Sequence, residues 1–385
     1  MDKQLKVMSV FGTRPEAIKM APVVRAFEQD DAIESTVVVT GQHREMLDQV
    51  LEAFEIRADL DLNLFQHGQS IADITVRILS GLTRLLAARR PNMVVVQGDT
   101  TTTFAAALAS YYSRVHVAHL EAGLRTGDKW SPYPEEINRR LTSQLASLHL
   151  AATRRARDNL LAEGFDETAV VVTGNTVIDA LLWTKQRWAD VSDPVIRVIE
   201  KHRGPVLLVT AHRRESWGDA LREVGRAVAE ISCERPDLLV VIPVHRNPIV
   251  RKALLAPLEN RSNVMVVEPL PYIPFVQAMA RATVILTDSG GVQEEAPSLG
   301  KPVLVMRDTT ERSEGVEAGT AQLVGTNRTA IRQNVLHLLS DERAYEAMAK
   351  VANPYGDGQA SARVVGAIRR FFGRPMASTG SSDWQ

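Results

Sequence analysis

Thr283-Val284-Ile285-Leu286-Thr287-Asp288-Ser289-Gly290-Gly291-Val292-Gln293-Glu294-Glu295 joins a short apolar run to a turn that opens a helix. The run reads as a buried strand, and Ser289-Gly290-Gly291 lets the backbone come close to a ligand because glycine carries no side chain. The helix that follows points free N–H groups and a positive dipole end at the turn, which suits a phosphate. Glu295 comes one turn later, within reach of a ribose. An ordinary strand-to-helix turn, with acidic residues complementing the helix dipole, explains the same letters. The motif alone leaves both readings open.

Outward from this stretch, strand-like runs alternate with amphipathic helical segments along nearly the whole chain. The strand candidates are Leu5–Phe11, Ser35–Thr40, Met93–Gln97, Val115–Leu120, Leu148–Ala152, Val170–Thr173, Val206–Thr210, Leu238–Pro243, Val264–Val267, Val284–Thr287 and Pro302–Val305. Val94-Val95-Val96 is continuous rather than alternating, as in a strand covered on both faces. Ile71, Ile74, Ile78, Leu82, Leu85 and Leu86 keep a helical period, and Pro91 ends that helix. Strand, helix, strand throughout predicts parallel sheets with right-handed crossovers.

A chain of 385 residues is long for one core, so two domains are expected. The predicted fold is α/β, with two doubly wound Rossmann-like domains facing across a cleft. Residues 1–172 form the first domain, completed by a C-terminal helix over 359–373, and residues 173–358 form the second. The Ser/Gly-rich tail 374–385 is expected to be disordered.

With 45% hydrophobic and 24% charged residues and a net charge of -1, the composition is that of a soluble globular protein. Near-neutral charge argues against a nucleic-acid surface. A lone cysteine, Cys233, excludes an internal disulfide and is read as packing within a helical stretch, Glu223 to Arg235. No signal peptide and no apolar run near ~20 residues is visible, so a cytoplasmic protein without membrane contact is expected.

In doubly wound sheets ligands sit outside the carboxyl ends of strands, so the polar residues after each strand are the ones to read. Arg14 stands at the mouth of a helix begun by Pro15, with Lys19 one turn on, and two cations there suit a diphosphate. Asp99 and Glu121 end what should be neighbouring strands, with Glu135 and Glu136 entering from Pro132–Leu145. Clustered carboxylates raise one another's pKa and can then work as acid or base. Taken singly, Asp99 reads as a helix cap and Glu135 as a first-turn acid. His212 closes the strand Val206–Thr210, where it could donate to a phosphate or protonate a leaving group. His245 could do similar work or cap a loop. His116 and His119 are three apart on a strand, face opposite sides and read as structural. No spacing suits a metal, and the absence of Gly-x-Gly-x-x-Gly and of a Walker sequence gives no sign of a dinucleotide or ATP site.

Gly12-Thr13-Arg14-Pro15-Glu16, Gln97-Gly98-Asp99-Thr100, His119-Leu120-Glu121-Ala122-Gly123-Leu124-Arg125, Pro134-Glu135-Glu136, His212-Arg213-Arg214-Glu215, Thr287-Asp288-Ser289-Gly290-Gly291 and Arg307-Asp308-Thr309-Thr310-Glu311-Arg312 occur in that order. Together they resemble the bacterial non-hydrolysing UDP-N-acetylglucosamine 2-epimerases, over residues 5 to 372. The resemblance implies a GT-B fold, a homodimer and interconversion of UDP-N-acetylglucosamine with UDP-N-acetylmannosamine for envelope polysaccharide synthesis. It implies no cofactor, neither metal nor nicotinamide. The proton at C2 leaves, UDP is expelled to give 2-acetamidoglucal, and UDP adds back while C2 is reprotonated on the other face.

By the same resemblance Arg14, His212, Ser289, Gly290 and Gly291 would hold the diphosphate, Glu295 the ribose, and Phe275 would pack near the uracil. Lys19, Asp99, Glu121, Glu135 and Arg312 would surround the sugar, with Asp99 the first choice for the C2 base and Glu121 and Glu135 close behind. Leu270 stands where some relatives carry a Gln. Gln42-His43-Arg44 and Gln69-Ser70 resemble a site where some members bind a second UDP-N-acetylglucosamine as activator, although Gly68 replaces an Arg there. A GT-B glycosyltransferase, a hydrolysing epimerase and a UDP-sugar sensor are the rival readings.

Overall fold

The computed structural model describes residues 4–41, 44–64, 68–190, 192–213 and 217–374. The chain divides into two compact units, Met1–Ala180 with Gly356–Gln385, and Leu181–Tyr355.

The first unit holds seven strands among the described residues: β1 (Leu5–Phe11), β2 (Ile33–Val39), β3 (Leu60–Asp61), β4 (Met93–Gln97), β5 (His116–Ala122), β6 (Leu148–Ala151) and β7 (Val170–Val172). They lie in the order β3-β2-β1-β4-β5-β6-β7, and every pairing is parallel. The second holds β8 (Val206–Thr210), β9 (Leu239–Pro243), β10 (Val264–Val267), β11 (Val284–Thr287), β12 (Val303–Val305) and β13 (Ala321–Leu323). Their order is β10-β9-β8-β11-β12-β13, again all parallel. Both sheets are therefore doubly wound. Their order reverses between β1 and β4 in one and between β8 and β11 in the other, and such switch points are where ligands bind.

The predicted strands are present with ends shifted by a residue or two. β3 and β13 were not expected. Each has two or three residues and lies at a sheet edge, so hydrogen bonding to a neighbour defines it and no periodicity announces it.

Burial explains why the strands read as continuous apolar runs. In the second sheet Leu207, Val209, Val240, Ile242, Leu286 and Leu304 point into one core cluster. Val206, Leu208, Val241, Ile285, Val303 and Val305 point into another on the opposite face. In the first sheet Val94 and Val96 share a cluster with Ile78, Leu82 and Leu86 of the helix Ile71–Arg89. Ile71, on the same period, is exposed, so the stripe outruns the core by one turn. The neighbouring helix Thr101–Tyr112 buries Ala105, Ala106, Ala107 and Ala109, small residues that allow close approach to the sheet.

The last helix, Ala360–Phe371, lies in the first unit. Its N-cap residue, Gln359, makes no side-chain bond. Instead Asp179 accepts the N–H groups of Ala360 and Ser361 at 3.2 and 2.7 Å, and Arg369 pairs with Asp30 at 2.9 Å. Cys233 corrects an expectation. It is exposed, because the helix Asp219–Glu234 buries the stripe of Leu221, Val224, Val228 and Ile231 and Cys233 falls off it. No helix among the described residues is long and apolar enough to cross a membrane.

Candidate active site

The switch point of the first sheet is built from the turns after β1 and β4. Gly12 must lack a side chain, since a Cβ there would lie 2.0 Å from Thr40 Oγ1. Thr13 and Glu16 then form a reciprocal capping box on the helix Arg14–Glu28. Glu16 is 1% exposed. Its Oε2 accepts the N–H groups of Gly12 and Thr13 at 3.0 and 2.7 Å. Its Oε1 accepts the Thr100 hydroxyl at 2.5 Å. Burial pushes the Glu16 carboxyl up against the lowering effect of these bonds. Arg14, at the first position of the helix, is exposed, and its side chain makes no bond to any described residue.

Lys19 does not join Arg14 as a second free cation. Its Nζ lies 2.5 Å from Glu121 Oε1. Gln97 Nε2 donates to the other oxygen of Glu121, and Asn175 Nδ2 reaches Oε1 at 3.4 Å. Glu121 sits at a bulge in the β5–β6 pairing with φ 63°, a left-handed conformation costing about 1–2 kcal/mol for a non-glycine residue. Such strain at a polar rim is characteristic of functional sites.

Asp99 is not the helix cap. Thr100 is, accepting the N–H of Thr103 at 3.1 Å. Asp99 Oδ2 instead accepts Arg139 Nε at 3.1 Å and Arg139 Nη2 as well. The same guanidinium reaches Glu136 Oε2 at 3.1 Å, and Asn138 Nδ2 donates to the Asp99 carbonyl at 3.0 Å. Arg139 and Glu136 are buried, at 5% and 0% exposure. Glu135, the first residue of the helix Glu135–Leu145, is half-buried, and its side chain bonds to no described residue. The expected pile of like charges is thus replaced by separate pairs, Asp99 with Arg139 and Glu121 with Lys19. Glu16, bonded to neither cation, is shifted upward, by burial and not by a neighbouring like charge.

His119 is fully buried, and Nε2 bonds to the Gly98 carbonyl at 2.7 Å. Burial holds its pKa at about 3, so the ring is neutral, while His116, on the other face, is exposed. The unfolded chain takes up a proton near the ordinary value of 6.5 and the folded chain does not. Stability is therefore present above 6.5 and lost as pH falls toward 3. Urea midpoints should fall across that window, with His119 contributing a slope of up to about 1.4 kcal/mol per pH unit. His119→Gln should flatten the profile by that amount; an unchanged slope would assign the acid sensitivity to other groups.

At the switch point of the second sheet, Thr210 and Thr287 meet across the β8–β11 register at 2.6 Å. Asp288, 1% exposed, accepts the N–H groups of His212 and Arg213 at 2.8 and 2.9 Å. His212 Nδ1 lies 2.9 Å from its other oxygen. Burial alone would raise the Asp288 pKa, but the His212 ring and the two N–H donors hold it below the usual range. The His212 side chain is half-exposed.

Ser289 is the N-cap of the helix Gly290–Glu295. Gly290 has a use the sequence did not disclose: a Cβ there would lie 3.3 Å from Arg312 Cζ and 3.4 Å from its Nε. The guanidinium therefore packs against the turn at Gly290. A Cβ on Gly291 would meet nothing closer than 3.7 Å. Arg312 Nε bonds to Glu294 at 2.9 Å, and its Nη1 lies 3.0 Å from Glu311. Glu311 also takes Arg213 at 2.9 Å and Arg307 at 2.7 Å. Burial raises its pKa, but these three cations outweigh it and hold the carboxyl at about 2. Glu295 accepts the Tyr272 hydroxyl at 3.2 Å. Phe275, on the same helix as Tyr272 (Tyr272–Arg281), packs half-buried with Leu270 against the core.

Gln69 Nε2 donates to the Leu64 carbonyl at 3.1 Å; Gln42 and His43 lie outside the described residues. His245 takes the N–H of Asn247 at 3.2 Å, and Asn247 caps the next helix, so His245 supports a loop. Arg139, Gln97, Asp288, Arg213, Glu311 and Tyr272 were missed as site residues. Gln97, Asp288 and Arg213 end or follow strands already visible in the sequence, so position could have marked them, whereas Arg139, Glu311 and Tyr272 lie on other segments and take their partners only in the folded chain. Glu16 had a signal, since Thr13-Arg14-Pro15-Glu16 spells a capping box.

Two doubly wound parallel sheets, each with polar turns gathered at its switch point, make this an α/β protein of GT-B type. Residues 25–369 match the family model described as UDP-N-acetylglucosamine 2-epimerase. The chain is 52% identical to the UDP-N-acetylglucosamine 2-epimerase of Escherichia coli strain K12, over 95% of this chain and 98% of that one. It is 52% identical to the Yersinia pestis enzyme of the same name, with coverage of 95% and 98%. The crystal structure of UDP-GlcNAc 2-epimerase from Neisseria meningitidis bound to UDP-GlcNAc superposes with a TM-score of 0.86 at 48% identity, covering 95% of this chain and 100% of that one. The chain belongs to the UDP-N-acetylglucosamine 2-epimerase family.

Proposed function

We propose that this isomerase interconverts UDP-N-acetylglucosamine and UDP-N-acetylmannosamine by eliminating UDP across C1 and C2 and adding it back, in support of envelope polysaccharide synthesis in the cytoplasm. The observation that carries the reading is the pair Asp99–Arg139 and Glu121–Lys19 at the ends of neighbouring strands. Inversion at C2 needs one group to take a proton from one face and another to return it to the other face. Asp99 is the proposed base, because the Arg139 guanidinium holds its carboxylate in place. Glu121, also ion-paired, and Glu135, free at its helix start, are candidates for the returning acid.

UDP leaves carrying charge that cations and helix N-termini must hold in a water-poor site. Arg14, His212 and the Ser289-Gly290-Gly291 turn are assigned to the diphosphate, and Glu295 to the ribose, with Tyr272 bonded to its carboxylate. Phe275 is assigned to the uracil, and Lys19 and Arg312 to the sugar. We further propose a homodimer, readable by light scattering, and activation by a second UDP-N-acetylglucosamine near Gln42, His43 and Gln69, readable as a sigmoidal rate curve.

Incubation with UDP-N-acetylglucosamine alone in D2O is the deciding experiment. Product should form without any acceptor and carry deuterium at C2. Product with C2 protium fully retained would rule out proton transfer. Free N-acetylmannosamine with UDP would reveal a hydrolysing enzyme, and dependence on an acceptor a glycosyltransferase.

A further inference from the structure

Glu16 is a buried carboxylate to which the reaction above gives no task. It spans two turns. One oxygen holds the backbone of Gly12 and Thr13, immediately before Arg14. The other holds the hydroxyl of Thr100, immediately after Asp99. Thr103 Oγ1, 3.2 Å from the same oxygen, is itself tied to the Gln97 carbonyl at 2.5 Å. No cation contacts Glu16 among the described residues, so what it supplies is reach between the turns.

We propose that Glu16 is a positioning residue of the epimerisation: it fastens the Arg14 turn to the Asp99 turn so that cation and carboxylate act at one fixed spacing. This rests on the reading that Arg14 holds the diphosphate and Asp99 serves C2. The bond pattern states which replacements should work. A glutamine can keep its oxygen on the two N–H groups and turn its amide toward Thr100 Oγ1 and Thr103 Oγ1, both able to accept. An aspartate keeps the charge but is one methylene too short to hold both turns.

The test compares kcat of Glu16→Gln and Glu16→Asp at saturating UDP-N-acetylglucosamine, with melting curves on both. Glu16→Gln should turn over close to the wild-type rate. Glu16→Asp should lose roughly 10²-fold, the scale expected for misplacing a reacting group by about 1 Å. The reverse order, with Glu16→Asp active and Glu16→Gln dead, would overturn the assignment and give the carboxylate's charge or proton a part in the chemistry. Wild-type kcat in both folded variants would leave Glu16 a merely structural cap and also overturn it. Should Glu16→Asp fail to fold, Thr100→Ala, which cuts the link at its other end, takes its place: a loss of roughly 10²-fold in folded Thr100→Ala beside near-normal Glu16→Gln supports positioning, while near-normal kcat in both, or a large loss in folded Glu16→Gln, refutes it. A wild-type enzyme that does not epimerise the substrate sinks the functional reading itself, a separate result.

Discussion

Asp99→Asn should leave the melting curve and UDP affinity nearly unchanged while epimerisation falls by ~10²–10⁴-fold, the usual cost of removing a general base. The two halves of that expectation come from different observations. The fold should survive because Thr100, not Asp99, caps the helix that follows β4. Arg139 also keeps a second carboxylate partner, Glu136, so the substitution does not strand a buried cation. Turnover should fail because an amide has no basic lone pair to take the C2 proton. Near-normal epimerisation in Asp99→Asn would move the base to Glu121 or Glu135. The matching Asn and Gln series at those positions would then locate it.

Arg14→Ala and His212→Ala should each weaken UDP binding by about 1.5–3 kcal/mol, the range for losing a hydrogen bond to a charged group. That is on the order of 10- to 150-fold in Kd. Arg14 bonds to no other described side chain and is exposed, so its removal should cost almost no stability. His212 contacts Asp288 at 2.9 Å, and its removal leaves that buried carboxylate the N–H donors of residues 212 and 213. A small drop in melting temperature is therefore expected for His212→Ala and none for Arg14→Ala. Calorimetry showing wild-type UDP affinity in both variants would refute the diphosphate assignment. A loss in one alone would confine that role to the affected residue.

The α/β class and the parallel sheets were legible in the chain because the inner strands are buried along their whole length. Runs such as Val94-Val95-Val96 and Val284-Ile285-Leu286 are continuous for that reason, and the helices between them carry their own period. Glycines and prolines marked the turns. The strand ends pointed to most residues now assigned to the site, because a doubly wound sheet presents them there whatever its details. The letters could not say which side chain each polar group would meet. Asp99 read singly as a cap, and as a base only beside Glu121 and Glu135, until Thr100 took the cap and Arg139, 40 positions away, took the carboxylate. Lys19 looked like a second phosphate cation until Glu121, 102 positions on, bound it. Gly290 looked like room for a ligand, and its missing Cβ also makes room for Arg312. Periodicity is local and survives in one dimension. Ion pairs and close approaches depend on which strands become neighbours, and that is decided only when the sheet order is.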